Sequence, residues 1–263
     1  MNSTISEKVE LLGKGLYKNI PDELNIHSIP TISELDYVGS EDFDSTMLDK
    51  ILPEAVDEKI NFRELLEIDY HWLCRCLRIL NYGPYHTVNT IFCGKCGTTS
   101  HGEYQVDLRS IGCNPIPAGF VNNIELSKDR FIDFQGNIKF QLPTIQDIIN
   151  AYKDKAFQTA EGVINKELAR MCYMIKEFNG VKGLTPVEVK LKIAKELSPA
   201  DYVVLKDEIT RLTDFGMRAG GSAQCPRCGH KEAVFIALTD DRFFRTTVDN
   251  LRKWRDDRSS GKA

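Results

Sequence analysis

Apolar positions along the chain change period several times, and each change predicts an element. Between residues 65 and 83, Trp72, Leu73, Cys76, Leu77 and Leu80 recur at helical spacing and make one apolar stripe. Asp69 stands where an N-cap is expected, Cys74 on the flank, and Gly83-Pro84 ends the helix. Arg75 and Arg78 lie off the stripe and are expected in solvent. The period then shortens. Residues 86–92 are β-branched and aromatic, and residues 102–108 alternate polar and apolar, which predicts the two strands of a hairpin. Residues 232–238 read as another strand, and residues 129–142 as a hairpin turning across Gly136-Asn137.

Residues 145–214 read as all-helical. Thr144 followed by Asp147 resembles a capping box, and Thr185-Pro186-Val187-Glu188 places a hydroxyl, a first-turn proline and an acid at a helix start. Ser198-Pro199-Ala200-Asp201 repeats the device. Between them, residues 160–178 carry Val163, Ile164, Leu168, Met171, Cys172 and Ile175 on one helical face, with Asn179-Gly180 as the stop. Residues 1–60 are interrupted by Pro21, Pro30 and Pro53 and are rich in acids. Their two short amphipathic pieces, near residues 9–12 and 47–52, cannot close a core alone, so this stretch reads as an extended acidic arm, either flexible or folded on a neighbouring subunit.

Composition narrows the function. A chain of 263 residues can bury a proper core as one large or two small domains. Its net charge of −4 weighs against binding a polyanion through global electrostatics. A local basic face from Lys231, Arg242, Arg245, Arg252, Lys253 and Arg255 keeps a nucleic-acid-binding alternative open. No apolar run approaches the roughly 18 residues of a membrane span and residues 1–8 lack a signal-peptide pattern, so the expectation is a soluble protein with no membrane partner. No P-loop, dinucleotide fingerprint, G-x-S-x-G or H-E-x-x-H occurs, and Ala219-Gly220-Gly221-Ser222 is too short for a phosphate cradle. A non-enzyme is expected, with no catalytic residues assigned.

Cysteine spacing supplies the one strong chemical signal. Cys93-Gly94-Lys95-Cys96-Gly97 and Cys225-Pro226-Arg227-Cys228-Gly229 are two C-x-x-C knuckles flanked by strand-like sequence, whereas a redox pair of the thioredoxin kind opens a helix. Four thiolates from Cys93, Cys96, Cys225 and Cys228 satisfy a tetrahedral zinc and leave no open position, which makes the metal structural. The competing arrangement is two sites, one adding His101 or Cys113 to the first pair and one adding His230 to the second. The remaining cysteines, Cys74, Cys76, Cys113 and Cys172, share no spacing, which fits a reduced compartment. His71 is isolated and reads as no ligand. The predicted fold is α+β: zinc-ribbon-like β elements closed by a four-cysteine zinc site, with an inserted helical bundle and an extended N-terminal arm. Its expected divisions are the arm at 1–60, a helix with the first ribbon half and a hairpin at 61–142, the helical insertion at 143–215, the second ribbon half at 216–246, and a tail at 247–263.

Several short stretches, taken in order, carry a resemblance. Leu65-Leu66-Glu67-x-Asp69 running to Asn81-Tyr82-Gly83, then a C-x-x-C, then Phe140-x-Leu142-Pro143-Thr144-x-x-Asp147, and Cys225-Pro226-Arg227-Cys228-Gly229 closing near Phe243-Phe244, resemble the baseplate protein family of T-even-type contractile-tailed phages over residues 60–245. The resemblance implies a non-enzymatic part or assembly factor of the virion's tail baseplate, put together in the host cytoplasm. Its implied partners are other baseplate, hub, tail-tube or tape-measure proteins. The acidic arm lies outside the resembling pattern.

Overall fold

The described residues of the N-terminal stretch do not form an extended arm. Ser6–Glu10 (β1) and Glu23–His27 (β2) pair antiparallel, with Val9, Leu24 and Ile26 facing inward on the alternate positions that a one-sided hairpin requires. A helical run follows through Phe43–Thr46, Met47–Ile51 and Leu52–Ala55, started by the Asp42 side chain on the Ser45 amide. Met47, Leu48, Ile51 and Leu52 are buried. Apolar residues too few to make a core locally are thus built into a larger one.

The computed structural model describes residues 5–29, 42–218, 220–236, 241–244 and 246–260; expected features at Pro30, Glu41, Ala219, Ala237, Leu238 and Arg245 lie outside these. It divides into two compact units, one of residues 1–62, 68–115 and 216–263, the other of 63–67 and 116–215.

Helix Glu67–Tyr82 (α1), in the first unit from Ile68 onward, buries Leu73, Cys76, Leu77 and Leu80 as the stripe predicts, and Cys74 as well. Asp69 is not the N-cap. It lies inside the first turn, fully buried, and its carboxylate accepts from the amides of Leu12 (2.6 Å) and Gly13 (3.1 Å) and from the Tyr17 hydroxyl. Nor are Arg75 and Arg78 solvated. Arg75 donates to Leu108 O, and Arg78, with no exposed surface, donates to the carbonyls of Phe243, Gly83 and Tyr85 at 2.7–3.0 Å. Tyr85–Phe92 (β3) and Thr99–Asp107 (β4) form the expected hairpin, and Cys113–Asn114 (β5) follows.

The second unit is not a helical insertion. Ile124–Leu126 (β6), Ile138–Phe140 (β7), Ile175–Phe178 (β8) and Val181–Lys182 (β9) form an antiparallel sheet in that order, so residues 129–142 supply one strand and no hairpin across Gly136-Asn137. Its helices are Ile145–Lys153 (α2), Lys166–Met174 (α3), Pro186–Glu196 (α4) and Pro199–Leu212 (α5). Thr144 and Thr185 close true capping boxes with Asp147 and Glu188, and Ser198 caps α5. The helix read over 160–178 shrinks to α3, started by Asn165, and Ile175 onward becomes strand. Asn179-Gly180 is the two-residue turn between β8 and β9, both residues at positive φ (49° and 79°), as a type I′ turn demands. Phe134, Phe140, Phe157, Phe178, Val189 and Leu205 are among the residues of its core.

Back in the first unit, Gly216–Met217 (β10) pairs with β5, and Gly220–Gln224 (β11) and Lys231–Phe235 (β12) make a second hairpin. Phe243 and Phe244 are buried, Phe243 against His86 and Phe244 against Phe43. The expected C-terminal tail is instead a helix, Val248–Ser259 (α6), capped by Thr247. Asn250, buried on α6, donates to the Thr87 hydroxyl (2.9 Å) and accepts from Gln105 (2.6 Å), while the Tyr85 hydroxyl donates to Asp257 (2.6 Å). Polarity concealed this helix, because its attachment runs through hydrogen bonds and the single Trp254 ring on Gly83, and not an apolar stripe. Among the described residues no helix is long and apolar enough to cross a membrane.

Candidate metal centre

Both C-x-x-C stretches sit at hairpin tips and fold alike. In the first, between β3 and β4, the Cys93 amide donates to Thr98 O (3.0 Å) and the Gly97 amide returns to Cys93 O (2.8 Å). In the second, between β11 and β12, the Cys225 amide donates to His230 O (2.8 Å) and the Gly229 amide returns to Cys225 O (2.9 Å). Gly97 and Gly229 close the two turns at φ 66° and 70°, where a side chain would be strained. This shared geometry turns each cysteine pair toward one point.

The four sulfurs meet. Cys93, Cys96, Cys225 and Cys228 place their Sγ atoms within 4.8 Å of one another. Cys93 and Cys228 lie 3.6 Å apart, and Cys96 and Cys225 3.8 Å apart. Sulfurs held tetrahedrally at about 2.3 Å from a central ion would be about 3.8 Å apart. The donor set therefore fits a metal ion that prefers thiolates. Cys93 and Cys225 are buried, Cys96 is half-buried and Cys228 is exposed.

Contacts beyond the sulfurs hold the tips together. Arg227 donates to the Thr98 hydroxyl (2.8 Å), and the Glu232 carboxylate accepts from the Gly94 amide (2.9 Å), so each bond crosses from one hairpin to the other. At the hairpin bases β11 approaches β4 so closely that a Cβ on Gly221 would stand 2.2 Å from a Val106 methyl. The thiols respond unequally to this setting. The Thr98 hydroxyl, helped by its amide, brings Cys96 down to about 6. The Cys96 amide favours the Cys93 thiolate, yet burial and the sulfurs of Cys228 and Cys96 push Cys93 up to about 12. One thiolate forms readily beside its neighbours and another resists; a bound dication removes that conflict by replacing the protons.

The alternative ligands stand apart. His101 lies on β4 with Nδ1 3.3 Å from the Thr90 hydroxyl, Cys113 pairs across the strands with Met217, and His230 faces Glu232 at 3.5 Å. None belongs to the convergent group, which among the described residues consists of the four cysteines. His71 packs its ring on Tyr70. Of the candidate basic face, Lys231 is exposed on β12, Arg252 pairs with Asp249, Arg255 with Asp256, and Lys253 donates to Gln105 and stacks 4.0 Å over Tyr85. The side chain of Arg242, like Arg245, lies outside the described residues. Thr98, Arg227 and Glu232 were not picked out by sequence; their only signal was adjacency to the knuckles. No protein-family model, curated protein or solved structure matches the chain.

Proposed function

We propose that this chain is a non-enzymatic structural or assembly component of a contractile phage tail baseplate, clasped by one structural zinc. The observation that carries the reading is the convergence of four thiols from two hairpins at one point. Cys93, Cys96, Cys225 and Cys228 hold the ion, which on binding supplies a cross-link between distant parts of the chain. Thiolates at all four positions leave none for water or substrate, which supports a structural and not a catalytic metal. Two buried carboxylates lend further support. Asp69 and Asp201 both spend their oxygens on backbone amides of other segments. Such groups brace a scaffold.

The work of such a protein is to bind its neighbours: other baseplate, hub, tail-tube or tape-measure proteins, in a virion assembled in the host cytoplasm. Phe92 and Phe235, 64% and 75% exposed on the two hairpins, are apolar points on the ribbon available for contact. Co-expression pull-downs with baseplate, hub, tube and tape-measure proteins should recover at least one partner, and a Phe92→Ser/Phe235→Ser variant should recover less. Failure to capture any of them would count against the baseplate reading. A salt-sensitive mobility shift on DNA or RNA at low salt would instead favour a nucleic-acid-binding zinc ribbon.

A further inference from the structure

Four cysteines that act as a metal clasp, as proposed above, also expose a thiolate to oxidants. Exposure falls across the cluster from Cys228, open to solvent, through half-buried Cys96 to buried Cys93 and Cys225. A dissolved oxidant meets Cys228 first. The Cys93 sulfur, 3.6 Å away, belongs to the opposite hairpin, and the Cys96–Cys225 contact at 3.8 Å also spans the two hairpins. These hairpins keep other ties that do not pass through sulfur. Arg227 still reaches Thr98, Glu232 still reaches Gly94, and β11 still packs on β4.

We propose that the cluster is an oxidation site that exchanges its metal clasp for a covalent one, by disulfide formation across the hairpins between Cys93 and Cys228. The Cys228 thiolate attacks one oxygen of hydrogen peroxide; the O–O bond breaks and the departing hydroxide takes up a proton to leave as water. Cys228 is then a sulfenic acid. The Cys93 thiolate attacks this sulfur, the S–O bond breaks, the second hydroxide leaves as water, and the S–S bond forms. Two thiols have lost two electrons and the peroxide has gained them. With two of its thiolates consumed, the site no longer holds a dication, and Cys96 and Cys225 can close a second bridge with a second peroxide.

The rest of the chain favours selectivity. Cys74, Cys76 and Cys172 are buried away from solvent and Cys113 is half-buried; burial raises all four thiols, Cys76 and Cys172 to about 12, which leaves little thiolate to react. A protein made in a reducing cytoplasm and then carried outside a cell would meet the conditions that drive such an exchange.

The test is to treat the full-length zinc-loaded protein with hydrogen peroxide, follow zinc with a chromogenic chelator, and map disulfides by peptide mass spectrometry under non-reducing conditions. Loss of the bound zinc together with a linked peptide pair containing Cys93 and Cys228 is expected, and a Cys74→Ser variant should behave like the wild type. Bridges confined to Cys225–Cys228 and Cys93–Cys96, or zinc retained at peroxide levels that oxidise an exposed cysteine peptide, would overturn the proposal. If the purified protein holds no zinc, the metal reading fails by itself; the disulfide map of the metal-free chain still decides between cross-hairpin and local bridges.

Discussion

Three buried polar side chains, Asp201, Asp69 and Arg78, each join segments that no local pattern connects. Asp201 accepts from the amides of Ile132 (2.6 Å), Asp133 (3.1 Å) and Phe134 (3.1 Å) and from the Ser198 hydroxyl. Burial pushes its carboxyl up, but those donors outweigh it and hold the group below its ordinary 3.8. A folded value below the unfolded one means that ionised Asp201 stabilises the fold above 3.8 and loses that contribution as pH falls through the lower value. Asp201→Asn should therefore lower the melting temperature at pH 7, and its gap to wild type should narrow in melts taken at progressively lower pH below 3.8; a pH-independent gap would contradict this. At Asp69 the balance reverses. Burial dominates its Tyr17, Gly13 and Leu12 donors and raises the carboxyl. Its favourable contribution is present below 3.8 and lost as pH rises through the folded value, so Asp69→Asn should cost less at pH 7 than Asp201→Asn. Arg78→Leu would take the guanidinium from three buried carbonyls, leaving Tyr85 O the Asn250 amide at 3.4 Å, and should cost on the order of 3 kcal/mol in urea unfolding. None of these roles was legible in sequence. The partners of Asp69 lie 52, 56 and 57 positions away and the Phe243 carbonyl lies 165 from Arg78, whereas an N-cap or a solvated flank is inferred from a few neighbours.

At the scale of elements, signals contained within one turn were readable. Thr144 with Asp147, Thr185-Pro186 with Glu188, and Ser198-Pro199 all start helices where their side chains predict. Thr185→Ala should cost about 1 kcal/mol through loss of one cap. Periodicity misled where an element ended between two competing patterns. Val163 to Ile175 keeps a helical rhythm that Phe178 continues three residues on, yet Ile175–Phe178 pairs with β7, where a register shift past Lys176 lets both Ile175 and Phe178 bury in the second core. Asn179-Gly180 then serves as a hairpin turn, a reading as compatible with its chemistry as a helix stop. Hairpin contact within the first unit depends on the bare α-carbon of Gly221. Gly221→Ala should force β11 from Val106 and cost roughly 1–3 kcal/mol in stability, with a lower metal affinity as the knuckles separate.

For the molecule as a whole, the spacing of eight cysteines separated one chemical centre from four unrelated thiols. Cys93, Cys96, Cys225 and Cys228 come from stretches about 130 residues apart and meet within 4.8 Å, while Cys74, Cys76 and Cys172 are core residues. The assembly of the first unit from three separate parts of the chain was not legible, because the N-terminal hairpin, the buried Phe243-Phe244 pair and the polar α6 each lack a self-sufficient pattern. A single shared clasp has a thermodynamic signature. Cys96→Ser and Cys228→Ser should each lower stability severely, and the double variant should add little to either, since one substitution already opens the site. Additive losses would indicate independent sites. The most direct measurement is elemental metal content per chain for the wild type and for Cys225→Ser/Cys228→Ser. One zinc per chain falling to none is the expected result of a shared four-thiolate clasp, whereas two zincs falling to one, or none in the wild type, would contradict it.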